Sequence, residues 1–170
     1  MKNKKISTPL LFLATTLVPL MICIDFLGIG VVLPNIAKDL SAKSSQIHWL
    51  ITMFAIGYVS LIISVTRVAD KYGYKQIYIC TVSTFIISSI LIGLSHGLWL
   101  LIIGRFFQGA SGGAMLMISL GIISSLFEGT KRATWMGYVV GMAGFGMALG
   151  PLVAGFLTEF LSWRSLFFIN

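Results

Sequence analysis

Long apolar runs separated by short polar segments set the pattern of this chain. Five such runs fall at 10–33, 47–65, 77–94, 98–127 and 133–157. A helix rising 1.5 Å per residue needs ~20 apolar residues to cross a hydrocarbon core, and each run is near or above that length. Each is predicted to be a transmembrane helix, because a helix satisfies its backbone donors and acceptors internally where water cannot. A sixth apolar segment opens at Leu166, and the five residues from there to Asn170 are too few to cross. The connections are short, with Ser95-His96-Gly97 alone between the third and fourth runs. The expected fold is an all-α integral membrane domain over residues 1–170, with five spans and the start of a sixth.

The opening Met1-Lys2-Asn3-Lys4-Lys5 ahead of an apolar run resembles a secretory signal. However, the 24-residue run exceeds the ~7–15 residues of a signal core, and no small-residue cleavage site follows, so it reads as a retained first span.

Composition agrees with the pattern. Hydrophobic residues make up 57% and charged residues 10% of the chain, and the mean hydropathy is +0.97. Soluble domains carry about 25% charged residues, so lipid is the expected solvent. The net charge of +7 comes from short basic clusters between the runs. No basic stripe of the kind that binds nucleic acid is present. With the N-terminus taken as cytoplasmic, inner segments hold Lys2, Lys4, Lys5, Arg67, Lys71, Lys75, Lys131 and Arg132, whereas outer segments hold only Lys38, Lys43 and Arg164. Eight against three follows the positive-inside bias and predicts a multi-pass protein of the cell membrane, in a bacterium the inner membrane, with a cytoplasmic N-terminus. Cys23 and Cys80 lie inside apolar runs with no metal-ligand spacing, and His48 and His96 stand singly at run ends. No metal, no cofactor and no enzymatic cluster of titratable groups is expected.

The candidate chemistry lies where charge meets lipid. Asp25 in the first run and Arg105 in the fourth are the only charges well inside a span. Each costs ~2.5–3.5 kcal/mol at mid-bilayer, so each needs a partner or a water-filled cavity. If the first span ends near Pro34 and the fourth begins near Leu98, the helical rise puts Asp25 ~13 Å and Arg105 ~10 Å below the same face. Adjacent helices would bring the two into contact. A static neutral pair is one reading. The other is a titratable carboxyl, with burial favouring its protonated form and the guanidinium its ionised form.

Four segments resemble, in order, the signatures of the major facilitator superfamily. The loop Thr66-Arg67-Val68-Ala69-Asp70-Lys71-Tyr72-Gly73-Tyr74-Lys75 is similar to G-x-L-A-D-[RK]-x-G-R-[RK], with Thr66 for the leading Gly and Tyr74 for an Arg. Ile24-Asp25, followed by Leu33-Pro34 closing the span, resembles the first-span motif of drug:proton antiporters, with Leu27 and Gly30 for its usual Thr and Asn. Gly104-Arg105-Phe106-Phe107-Gln108-Gly109-Ala110 resembles the fourth-span R-x-x-Q-G motif, and Gly146, Gly150, Pro151 and Gly155 the fifth-span G-x-x-x-G-P-x-x-G-G motif, with Ala154 for one Gly. The ending from Trp163 to Asn170 is similar to the entry of a sixth span.

This resemblance covers essentially the whole chain and implies a secondary transporter that exports drugs or other small molecules against protons. It assigns proton coupling to Asp25 and Arg105, an inner gate to Arg67, Asp70, Lys71, Gly73 and Lys75, and restriction of proton leak to the fifth span. It also implies that the chain is an N-terminal fragment, needing a second half as partner and unable to transport alone. Uptake of a metabolite and a non-transporting stub are the alternatives. Without the family, the fifth-span glycines still read as helix-packing surfaces and Pro151 as a kink. The partner of Gly150 is expected in the absent half.

Overall fold

The computed structural model describes residues 8–170. Lys2, Lys4 and Lys5, which the orientation argument counts, lie outside the described residues. Among these residues eight helices follow in order: α1 (Thr8–Asp39), α2 (Ser44–Ile47), α3 (Trp49–Ser60), α4 (Ile62–Tyr72), α5 (Tyr74–Gly93), α6 (Leu98–Leu126), α7 (Gly129–Phe160) and α8 (Ser165–Phe168). Among the described residues, α1, α5, α6 and α7 are each long and apolar enough to cross a membrane. The segment from α2 to α4, bent by 44° at its break, is long and apolar enough to make a fifth if its two parts cross as one. The chain is thus an all-helical bundle whose long helices alternate in direction between an Asp39 end and an Asp70 end.

The break in the second span was not expected. Ile47–Val65 is apolar without a proline, yet the helix stops at Ser60 and restarts at Ile62. The Ser60 hydroxyl donates to the Gly57 carbonyl at 2.6 Å, three residues back. Such back-bonding competes with the helical ladder and bends helices. Conversely, Pro34 was expected to close the first span, but α1 continues through it to Asp39. One missing N–H is tolerated in a membrane helix whose neighbours pack tightly. Fourteen residues separate Asp25 from the end of α1, about 21 Å of helix, rather than the shorter distance a stop at Pro34 would give.

Helix α6 is the hub, packing on α3, α4, α5 and α1, while α1 packs most extensively on α7. Glycine decides the closest approaches. A Cβ on Gly109 would collide with the Phe54 carbonyl oxygen, one on Gly113 with that of Tyr58, and one on Gly57 with that of Phe106. These three let α3 and α6 touch backbone to backbone, the small-residue mode by which membrane helices associate. Apolar side chains fill the rest in three clusters, around Ile36, Leu50, Leu101 and Phe167 at the Asp39 end, around Ile22, Phe54, Phe85 and Met115 in the middle, and around Val65, Ala69 and Ile118 at the Asp70 end. Large apolar side chains such as Ile63, Trp99, Val140, Leu152 and Phe160 face outward instead, the reverse of a soluble surface.

Candidate functional site

Asp25 on α1 and Arg105 on α6 form an ion pair between fully buried side chains. Along both helices the pair stands between the first two apolar clusters, with Ile29 and Leu101 on one side and Ile22 and Met115 on the other. Four further groups complete the network. Arg105 Nη1, which holds the carboxylate, also donates to Gln108 Oε1 at 2.7 Å, and Arg105 Nε donates to the Leu50 carbonyl at 3.2 Å. Gln108 Nε2 reaches Ser89 Oγ at 2.8 Å and Asp25 Oδ1 at 3.4 Å. Asn170 Nδ2 donates to the same Oδ1 at 3.3 Å. Arg105 and Gln108 share a helix face because they are three residues apart.

The guanidinium also lies over the Phe54 ring, 4.2 Å from its centroid, and 5.9 Å from that of Phe167. The Gly109 contact with the Phe54 backbone fixes that approach. Within this shell Arg105 Nη2 has no hydrogen-bond partner. The site is therefore electrically neutral as an ion pair, and it keeps one surplus donor. Ser89, Leu50 and Asn170 were not singled out from the sequence, since neither a serine in an apolar run nor a backbone carbonyl carries a sequence signal.

The other expected positions lie apart from this network. Arg67, Asp70, Lys71, Gly73 and Lys75 sit exposed at the α4–α5 turn. Gly73 adopts φ +96°, open to glycine alone. Tyr74, standing where the resemblance expects arginine, donates its hydroxyl to Asp70 Oδ1 at 2.7 Å.

On α7, Gly146 and Gly150 meet α1. A Cβ on Gly150 would come within 3.0 Å of the Ile24 carbonyl oxygen, and one on Gly146 within 2.5 Å of that of Leu20. The partner of Gly150 is therefore α1 of this same chain, which corrects the expectation of an absent one. Gly155 is loosely packed, Gly137 and Gly141 have open space around them, and Pro151 lies within a continuous helix.

A second polar cluster at the Asp39 end escaped the sequence reading. Arg164 Nη1 pairs with Asp39 Oδ2 at 2.8 Å, Trp163 Nε1 donates to the same oxygen at 3.1 Å, and Arg164 Nη2 donates to the Ser95 carbonyl at 3.2 Å. These contacts tie the segment carrying Phe167 and Asn170 to α1 and to the α5–α6 turn. Among the described residues no group of His, Cys, Asp and Glu could hold a metal ion.

The Major Facilitator Superfamily model matches residues 15–170. The chain belongs to this superfamily. Its relatives in that superfamily include the multidrug resistance protein Stp of Mycobacterium tuberculosis (strain CDC 1551 / Oshkosh), 32% identical over 95% of this chain and 30% of that protein. The tetracenomycin C resistance and export protein of Streptomyces glaucescens is 27% identical over 93% of this chain and 29% of its own length. The riboflavin transporter RibZ of Clostridioides difficile (strain 630) is 30% identical over 81% and 30% respectively. The chain thus spans about a third of the length of the curated relatives it matches. Major facilitators are transporters, and the bundle described above fits the N-terminal part of that fold.

Proposed function

We propose that this chain forms the first part of a proton-coupled exporter of drugs or other small molecules. The observation that carries the proposal is the buried Asp25–Arg105 pair. Asp25 is the sole acid away from a helix end among the described residues, and its charge is sustained there by one guanidinium and two amides. A helix movement that withdraws Arg105 strands the carboxylate, which then favours taking a proton. Return of Arg105 favours releasing it. If each position opens to a different side of the membrane, a proton crosses per cycle and can drive a substrate the other way. Rocking of two bundles about a midplane site is the general form of such alternating access.

The N-terminus is cytoplasmic in this reading, so the Asp70 end faces the cytoplasm. Arg67, Asp70, Lys71, Gly73 and Lys75 then form an inner gate. The packed α1–α7 contact through Gly146 and Gly150, with Pro151 and Gly155 next to it, restricts leak, and Gln108 and Gly109 hold Arg105 in place. Partners are protons, a small-molecule substrate, lipid and the spans beyond Asn170; no cofactor takes part. Export is favoured over uptake by the likeness to a multidrug resistance protein and an export protein. The likeness to a riboflavin transporter supports metabolite transport on the same fold as the second reading.

The test uses a protein that continues past Asn170 with its own downstream spans, purified into proteoliposomes. An imposed proton gradient should drive uphill movement of substrate, substrate should release protons at controlled pH, and Asp25→Asn should abolish both while inserting normally. Proton release by Asp25→Asn at the wild-type level would place coupling elsewhere.

A further inference from the structure

A cavity of about 240 Å³ opens between α1, α3 and α7, next to the ion pair. Phe26, Phe54 and Tyr58 make the largest part of its wall, with Ile22 beside them. Phe26 and Phe54 lie 5.5 Å apart, and Phe54 stacks on Tyr58 at 6.3 Å. Cys23 and Met147 face the same space, and Ala55 and Val59 form its exposed rim. The volume falls just short of the ~300 Å³ at which complete small-molecule sites begin, so it holds most of a two- or three-ring compound.

Three aromatic rings on one wall, Phe26 tilted by 33° to Phe54 and Tyr58 stacked on it, suit a flat aromatic ligand. Charge then decides which kind. The ring at the back of the cavity, Phe54, already carries the Arg105 guanidinium 4.2 Å from its centroid. A cation bound against Phe54 would share its π-cloud with that guanidinium and be repelled by it. The one acid nearby, Asp25, is fully buried and paired with Arg105. With Asp25 ionised the pair is neutral; with Asp25 protonated the site is positive. In neither state is it negative. The surplus donor Arg105 Nη2 points the same way. The remaining acids, Asp39, Asp70, Glu128 and Glu159, lie at helix ends.

We infer that this cavity is a binding site for uncharged planar aromatic compounds and discriminates against organic cations. The inference rests on the reading of the chain as part of a small-molecule exporter and names the substrate class its own residues select.

The chain supplies its own reporters, because Cys23 lines the cavity while Cys80 is exposed on α5. The 170-residue chain is reconstituted in phosphatidylcholine nanodiscs and challenged with two probes of one skeleton, uncharged N-methylacridone and cationic N-methylacridinium. Equilibrium dialysis, corrected for empty nanodiscs, reads affinity. Mass spectrometry reads alkylation of each cysteine by N-ethylmaleimide. N-methylacridone should bind at least ten times tighter than N-methylacridinium and should slow alkylation of Cys23 but not of Cys80. Ala55→Trp, which fills the cavity from its rim, should remove the dialysis signal, and Val59→Trp should reduce it. Equal or tighter binding of the cation overturns the selectivity. Binding of neither probe, or binding that survives Ala55→Trp, overturns the site. Since no transport is measured, a failure of proton coupling leaves this result standing, and the reverse also holds.

Discussion

At the scale of single residues, Arg105 and Asp25 are chemically linked but not equivalent. Arg105 serves Asp25, Gln108 and Leu50 and lies over Phe54. Replacing it with alanine strands a buried carboxylate and opens a void. Removal of one member of a buried pair costs about 3–5 kcal/mol, so Arg105→Ala should lower the unfolding free energy by that amount in a detergent-denaturation titration. Asp25→Asn also leaves a buried charge unpaired, but it keeps the size and an acceptor oxygen for the guanidinium and opens no void, so it should cost less than Arg105→Ala. Equal losses would mean that the network is a packing feature without a charge asymmetry. Gly73 makes a different kind of demand. At φ +96° and ψ 133° an alanine is strained by about 1–3 kcal/mol. Gly73→Ala should therefore shift the start of α5 and free Tyr74 from Asp70, read as lost protection of the Tyr74 ring from solvent quenching.

At the scale of helices, the glycine contacts make a ranked prediction. Gly109→Leu drives a side chain into the Phe54 backbone, and Gly150→Leu crowds that of Ile24. Gly141→Leu meets nothing in this chain. Overpacking costs ~1–3 kcal/mol or more when backbone must move. Helix content of the purified chain on heating should fall first for Gly109→Leu, then for Gly150→Leu, with Gly141→Leu close to wild type. Loss of stability in Gly141→Leu alone would invert the assignment of faces on α7.

The same contacts show what the sequence made legible. The apolar runs marked the long helices because span length is fixed by the bilayer. The distance of Arg105 from the start of its helix was readable from helical rise, because α6 does begin at Leu98, whereas that of Asp25 was not, because α1 outran Pro34. Which glycines meet which helix was not readable, because spacing defines a face without naming what lies opposite. The bend lies beside Ser60, whose hydroxyl turns back to Gly57, but Thr81 and Ser111 make the same bond inside unbroken helices, so a serine carries no signal of where a helix will break. Asp39 and Arg164, 125 residues apart, belong to one cluster only after α1 and α7 have packed.

For the whole molecule, orientation is the property open to a direct check. The basic bias requires Lys71 and Lys131 on the cytoplasmic side and Lys43 and His96 on the outer side. Single cysteines at these positions, in a background free of Cys23 and Cys80, should react with a membrane-impermeant maleimide in intact cells only at 43 and 96. Reaction at 71 instead would reverse the bundle in the membrane and exchange the two ends.

The separation of Asp25 and Arg105 along the chain also bears on its synthesis. The two are 80 residues apart, and a ribosome adding ~5–20 residues per second needs about 4–16 s to pass from one to the other. Through that interval Asp25 has been made while α6, which carries its countercharge, has not been completed. Nor has α7, on which α1 packs most extensively. A charge without its partner costs ~2.5–3.5 kcal/mol at mid-bilayer, so the nascent first span is held in the membrane less firmly than the finished bundle holds it. The ion pair is then completed by the arrival of the fourth span, which makes insertion of α6 the event that commits the newly made chain to its bundle.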